Sequence, residues 1–355
     1  MTAYGKVEAD TAVVRVLMVE KANRLVFSAK AGITLTDVLT GRTLSASSRP
    51  LVITRSGSLL QVGGSDGFRI MKLSSSSERI TLNQKQWRGV FTVSCSESGL
   101  QAINHVPLED YLYGIVPAEM PCTWASEALR AQAVASRTYA LYAKIQRCGM
   151  SWDLKATISS QVYGGVGAET LETTRAVNAT RGVLMTIKNR PIMAYFHANS
   201  AGHTEDARNV WDVDIPYLTG TPDRFSENIP GDTWQYLLTH HHMTSRLQNA
   251  GWQTGKIMSV LPNGISPTGR VQKVRLVMDK GTIDLTGNQF RLIFGSTRIK
   301  STYFKLTGLD EGILLKGRGY GHGVGMSQWG ACRMAEQGFK YQQILWHYYP
   351  GVSIG

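Results

Sequence analysis

Over roughly the first hundred residues the apolar positions fall in short alternating or β-branched runs. VVRVLMV (13–19), RLVFSA (24–29), LVITRS (51–56), LLQVGG (59–64), FRIMKL (68–73) and GVFTVSC (89–95) each predict a strand. The polar run LSSSSER (73–79) predicts a surface loop between two of them. AVVRVLMVE (12–20) carries Arg15 and is far shorter than the ~18–20 apolar residues of a membrane span, so it reads as a buried strand. The period then changes. LEDYLYG (108–114) predicts a short helix, with Glu109 and Asp110 suited to its N-terminal dipole. TWASEALRAQAVASRTYALYAKI (123–145) predicts a long one, N-capped by Thr123 and carrying Glu127 in its first turn. Its Ala128, Ala131 and Ala135 allow close packing, and Arg130, Arg137 and Lys144 recur along one side.

Residues 160–225 read as mixed strand and loop, and DTWQYLLTHHHMTSRLQNAG (232–251) as a helix stopped by Gly251. Strands return over 256–309, and the sequence closes on a Gly-rich loop and two helical pieces. The pattern predicts an α+β fold. A β-rich N-terminal region (1–100) precedes a mixed helix/strand catalytic region (101–355), within which 230–310 forms a β-rich subdomain. A substrate groove is expected past the N-terminus of the 123–145 helix.

Composition narrows the function classes. The 355 residues are 43% hydrophobic and 18% charged, as in an ordinary globular protein, and 36 glycines favour strands and tight turns. The net charge of +12 is spread along the chain, whereas a nucleic-acid binder gathers it on one stripe, so no nucleic-acid partner is expected. Diffuse positive charge suits an anionic polymer surface such as a cell wall or lipid headgroups. The four cysteines form no CxxC. Cys122 and Cys148 flank a helix that would hold them roughly 33 Å apart, so they cannot pair, and buried free thiols are the simplest reading. With no membrane span and no targeting segment in view, a leader or membrane anchor is expected to be missing from this sequence.

Four stretches hold candidate chemistry. In GIVPAEMPCTW (114–124) Glu119 is an isolated acid between Pro117 and Pro121, which bias the backbone away from helix. Ile115, Val116, Met120 and Trp124 supply an apolar surround that would raise a carboxyl pKa by desolvation and leave a proton donor. The plain alternative is a Glu at a turn before a helix. No other acid of the chain reads as equally sheltered. GYGHGVGMSQWG (319–330) spaces His322, Ser327 and Gln328 with alternating glycines, leaving room for a ligand or a second backbone. Its polar groups and flanking aromatics suggest sugar contacts. AYFHANSAGHTEDARNVW (194–211) holds His197 and His203 with Glu205 and Asp206, more readily structural or ligand-binding than metal-binding at this spacing. His240–His242 read as solvated surface, and ISSQVYGG (158–165) as a strand ending in a turn.

Taken together, VPLEDYLYGIVPAEMPCTWASEALRAQAVASRTYAL, SSQVYGG, AYFHANSAGHTEDARNVW, LTGNQFRLIFG and GRGYGHGVGMSQWGACRMAEQG…ILWHYYPGV resemble, in order, the motifs of the stage II sporulation protein D family, which includes amidase-enhancer proteins. The resemblance runs from about residue 88 to the end. It implies a lytic transglycosylase acting on peptidoglycan glycan strands stripped of stem peptides, with Glu119 of the EMP motif as catalytic acid and then base. The internal C6 hydroxyl of the muramoyl sugar would close a 1,6-anhydro ring, so no second enzymic carboxylate is needed. Arg137, Ser160, Gln161, Tyr163, His203, His322, Ser327 and Gln328 would line the groove. A cell-wall amidase and a membrane-anchored assembly are further partners the resemblance suggests, and the substrate requires an extracytoplasmic, cell-envelope location. Some members hold zinc through cysteine and histidine near the segment matching 197–211. Here there are His197 and His203 but no cysteine, and neither metal nor cofactor is expected. The competing readings are a non-catalytic wall-binding protein that stimulates an N-acetylmuramoyl-L-alanine amidase, and a metal hydrolase built on His197 and His203.

Overall fold

Alternation of apolar and polar residues gives the N-terminal region its sheets. The computed structural model describes residues 11–47, 49–62, 65–96, 98–157 and 160–355. Residues 1–10, and the ends of two expected segments at 63–64 and 158–159, lie outside the described residues. A seven-stranded sheet runs from Leu154–Lys155 through Val13–Ala22, Gly99–Pro107, Val90–Ser96, Ile70–Ser74 and Ile33–Asp37 to Thr43–Ser47. A six-stranded sheet runs from Lys85–Arg88 through Arg79–Leu82, Arg24–Ser28, Leu51–Ser56 and Leu59–Val62 to Ser65–Phe68. Their inward residues share one core in which Phe27 meets Phe91 edge to face, ring centroids 5.4 Å apart. The fold class is α+β, as the pattern predicts.

The chain divides into two compact units, Met1–Met193 with Ser353–Gly355, and Ala194–Val352. The division expected near residue 100 runs instead through a strand. Gly99–Pro107 pairs with both Val13–Ala22 and Val90–Ser96, so cutting there would open the sheet.

In the first unit the sheets carry helices α1 (Leu108–Glu119), α2 (Ser126–Gln146) and α3 (Leu171–Ala179). Three local expectations are corrected. Pro117 does not stop α1 at Gly114, because Tyr111, Leu112, Ile115 and Val116 are fully buried and packing carries the helix through it. Thr123 does not cap α2, whose N-cap is Ala125 without a side-chain hydrogen bond. Helix α3, capped by Thr170, lies where mixed strand and loop were expected.

The second unit holds two three-stranded sheets. One is Thr233–Thr239, Gly312–Arg318 and Phe304–Leu309; the other is Ile257–Pro262, Lys273–Met278 and Gly281–Thr286. Its helices are α4 (Ala207–Trp211), α5 (His240–Asn249), α6 (Gly287–Phe294), α7 (Gln328–Glu336) and α8 (Tyr341–Tyr348). The helix expected over 232–251 is therefore half strand, with α5 starting at His240 after the Thr239 cap. All four cysteines are free, but only Cys332 is buried; Cys148 is exposed, and Cys95 and Cys122 are half-buried. Among the described residues no helix is long and apolar enough to cross a membrane.

Candidate active site

Glu119 is the last residue of α1, half-buried, at the carbonyl end of the helix where the macrodipole disfavours a negative charge. It is thus neither in the extended stretch nor in the pre-helical turn that its flanking prolines suggest. Its sequence neighbours Ile115, Val116 and Met120 are all buried. The N–H of Val162 donates to Glu119 Oε1 at 3.1 Å. This backbone bond engages Oε1 and so helps to orient the acid.

The loop that supplies this amide is clamped. Along 161–163 the side chains alternate: Gln161 and Tyr163 point inward and are buried, and Val162 between them is exposed. Tyr111 donates its hydroxyl to Gln161 Oε1 (3.3 Å), and Gln161 Nε2 donates to the carbonyl of Ser136 (3.4 Å). Tyr163 packs between Trp87 and Tyr111 with tilted rings, both centroid distances 4.9 Å. The N–H of Gly164 donates to the carbonyl of Gly114 (3.0 Å), and a Cβ on Gly114 would sit 2.7 Å from the Tyr163 ring, so only glycine fits there. Burial raises the pKa of Tyr111 and Tyr163, keeping both phenols neutral. Gln161 and Tyr163, expected to line the groove, anchor the loop whose amide meets the acid. Trp87, Tyr111, Gly114 and Val162 belong to this arrangement and escaped the sequence reading. The in–out–in alternation of SQVYGG was the available signal.

The remaining expected groove residues of this unit have structural partners. Arg137 is completely buried, with Nε and Nη2 on the two oxygens of Glu109 (2.6 and 2.8 Å) and further bonds to the carbonyls of Val177 and Val183. With its donors so committed it offers none to a substrate. Ser160 is half-buried and accepts from the N–H of Lys155 (3.1 Å). Nor is Glu119 the most sheltered acid. Glu109, Asp153, Glu205 and Asp223 are all more buried, but each is held by polar partners: Arg137, Arg15, the Ser266 and Thr268 hydroxyls, and the Ser200, Ser226 and Tyr348 hydroxyls respectively.

In the second unit the Gly-rich loop admits a second backbone. A Cβ on Gly321 (φ +112°) would lie 2.5 Å from His197 Cβ, and one on Gly325 (φ +71°) would collide with the Tyr195 carbonyl. Strands Phe196–His197 and Met326–Ser327 pair in parallel through this contact. His322 packs among Trp211 (5.1 Å), Tyr195 and His197 (both 5.6 Å), and its Nδ1 accepts from the N–H of Val324 (3.1 Å). Burial, with Arg291 and Arg270 adding to it, pushes its pKa down to about 3, and His197 is likewise held well below the usual value by burial. Ser327 is buried and caps α7, accepting from the N–H groups of Gly330 and Ser200 (both 3.3 Å). Gln328 follows it, 6% exposed. Ser327, expected to line the groove, thus caps α7, and Gln328, expected beside it, is buried. His203 is half-buried, its Nδ1 on the Thr204 carbonyl (2.6 Å).

His197 Nδ1 is engaged by the Val324 carbonyl (3.1 Å), and among the described residues no three His, Cys, Asp or Glu side chains cluster as ligands. His240–His242, read as surface, are exposed or half-buried at the start of α5.

Comparison with known proteins places this geometry. The family profile described as stage II sporulation protein matches residues 96–187, which contain α1, Glu119, α2 and the clamped loop. A second profile, a domain of unknown function (DUF8618), matches residues 224–325. The stage II sporulation protein D of Bacillus subtilis is 30% identical over 276 residues, covering 72% of this chain and 76% of that protein. An uncharacterized protein of Brachyspira hyodysenteriae is 33% identical over 77% of this chain and 73% of its own length. The amidase enhancer of Bacillus subtilis is 30% identical over 79% of this chain but only 45% of its own length. The chain belongs to the stage II sporulation protein D family, whose members include proteins named for sporulation and for amidase enhancement.

Proposed function

We propose that the protein is a peptidoglycan lytic transglycosylase that cleaves the MurNAc–GlcNAc bond of peptide-stripped glycan strands outside the cytoplasmic membrane. The observation that carries the reading is the placement of Glu119 at the dipole-disfavoured end of α1, with the Val162 N–H donated to its Oε1, within the segment that matches the family. Glu119, protonated, gives its hydrogen to the glycosidic oxygen as the C1–O bond breaks. The muramoyl C6 hydroxyl attacks C1, and its proton returns to the Glu119 carboxylate. No water is consumed, and the acid is regenerated. Because the nucleophile belongs to the substrate, one carboxyl suffices.

Glu119→Gln keeps the Val162 amide acceptor but cannot donate an acidic proton. We expect release of anhydromuramoyl fragments from peptide-free strands to fall by at least about 100-fold, read by mass spectrometry of the products. Reducing-end fragments from the parent protein would mean hydrolysis instead. Similarity to the amidase enhancer favours a second reading, a wall-binding protein that stimulates an amidase. Intact strands from both proteins, with amidase turnover raised equally by both, would establish it.

A further inference from the structure

The second unit carries a groove that the reaction at Glu119 does not use. It has a volume of about 580 Å³ and is lined by Arg224, Phe225, Phe339, Gln343, Trp346 and His347, among others. That lies in the range of ligand sites, about 300–1,000 Å³. Trp346 is 50% exposed, an unusual position for so large an apolar ring, yet it is not loose. Its Nε1 donates to the carbonyl of Val352 (3.2 Å), which spends the polar edge inside the protein and leaves the flat face outward. Phe225 forms the apolar floor, edge-on to Phe339 (5.7 Å) and to His347 (5.8 Å). Arg224 is exposed, its guanidinium 5.2 Å from the Phe225 ring centre, with no ion-pair partner among the described residues. Burial lowers the pKa of His347, so near neutrality Arg224 supplies the positive charge of the groove lining.

A fixed aromatic face suits the apolar face of a pyranose, and a rim guanidinium suits a planar carboxylate. We infer that this groove is a second glycan subsite, which binds a muramoyl sugar through its free lactyl carboxylate. That carboxylate exists only once the stem peptide has been removed, since the intact peptide converts it to an amide. Arg224 thus senses the stripped state of the strand. The inference rests on the substrate class proposed above.

The test uses the full chain carrying Glu119→Gln, so that no strand is cut. Binding is measured by calorimetry for a peptide-free GlcNAc–MurNAc tetrasaccharide, its peptide-bearing counterpart and chitotetraose. The stripped tetrasaccharide should bind about fivefold more tightly than either of the others, the worth of one exposed ion pair. Arg224→Gln should erase that preference without weakening chitotetraose. Trp346→Ala should weaken all three by about tenfold, and Trp346→Phe should restore most of the loss. Arg224 is exposed, so its variant keeps the test valid if Trp346→Ala unfolds. Equal affinities for the three glycans, or a preference that survives Arg224→Gln, overturns the subsite. So does a groove that protects from hydrogen exchange only with an acidic peptide or a second copy of the chain. Cleavage by the parent is scored separately. Cleavage with no role for Arg224 removes the subsite alone, and an Arg224-dependent preference without cleavage removes the transglycosylase alone.

Discussion

Arg137 and Arg270 are each almost entirely enclosed, one in either unit, and they are held in opposite ways. Arg137 makes a bidentate pair with Glu109, and its remaining bonds go to carbonyls. Arg270 forms no ion pair among the described residues. Its Nη2 donates to the carbonyls of Ser200 and His203, and Nε and Nη1 are without partners. Desolvation lowers its pKa to about 10, against the pull of Glu205. Glu205 itself is taken up by Ser266, Thr268 and Asn209. The first unit locks α1 to α2 with paired charges. The second encloses Arg270 and Arg291, both with pKa lowered by burial, among neutral histidines and hydroxyls.

The contrast can be broken most directly by removing each charge. Arg137→Met strands the Glu109 carboxylate in the core and should cost about 3–5 kcal/mol. Arg270→Met removes a charge that is only partly satisfied, and should fall within about 1 kcal/mol of the parent. Urea unfolding of both variants decides. Equal losses would show that Arg270 has the support its geometry lacks.

Acid gives the next largest effect. His197, His322 and His347 all have folded pKa values below the usual ~6.5 because of burial, so the unfolded chain binds more protons than the folded one as pH falls through that value. Their stabilising contribution is complete above about pH 6.5 and is lost progressively toward about pH 3, where His322 protonates in place. Amide hydrogen exchange should therefore report opening of residues 194–352 across that window. His105 gives the first unit a weaker pull of the same sign, again through burial. Stability of the second unit that is flat between pH 7 and 4 would contradict the assignment.

Helix capping sharpens the comparison at the smallest scale. Ser327→Ala removes the cap of α7 and should cost about 1 kcal/mol, whereas Thr123→Ala, at a residue that caps nothing, should change stability by less than about 0.5 kcal/mol. Thermal unfolding of the pair measures the difference.

These features differ in how far the sequence announced them. The N-terminal strands were legible because one face of each is buried and the alternation shows it. TWQYLLT misled because its buried residues, Trp234 and Leu238, stand four apart, a spacing common to a strand face and a helix face. Pro117 misled because burial of Ile115 and Val116 outweighs one missing hydrogen bond. Glu119 stood out as an acid among apolar residues, but the Val162 N–H on its Oε1 is a backbone group, which every residue type except proline carries and no motif records. Arg137 had the residue type of a substrate clamp. Only the fold shows that Glu109, the second residue of α1, claims it first.

The pairing of Ser353–Ile354 with Met185–Ile187 gives the first unit a strand that is synthesised after all of residues 194–352. Bringing those strands together across an unstructured chain would close a loop of roughly 170 residues. Within the second unit, however, the hydroxyl of Tyr349 binds the carbonyl of Tyr195 at 2.5 Å, tying that unit's two ends. Once this tie has formed, the loop left to close is roughly 15 residues, which lowers the entropic cost by about 2 kcal/mol. The later-made unit thus acts as an intramolecular clasp for the earlier one. Refolding that begins with residues 194–352 should finish the sheet at 185–187 faster than refolding in which that unit lags.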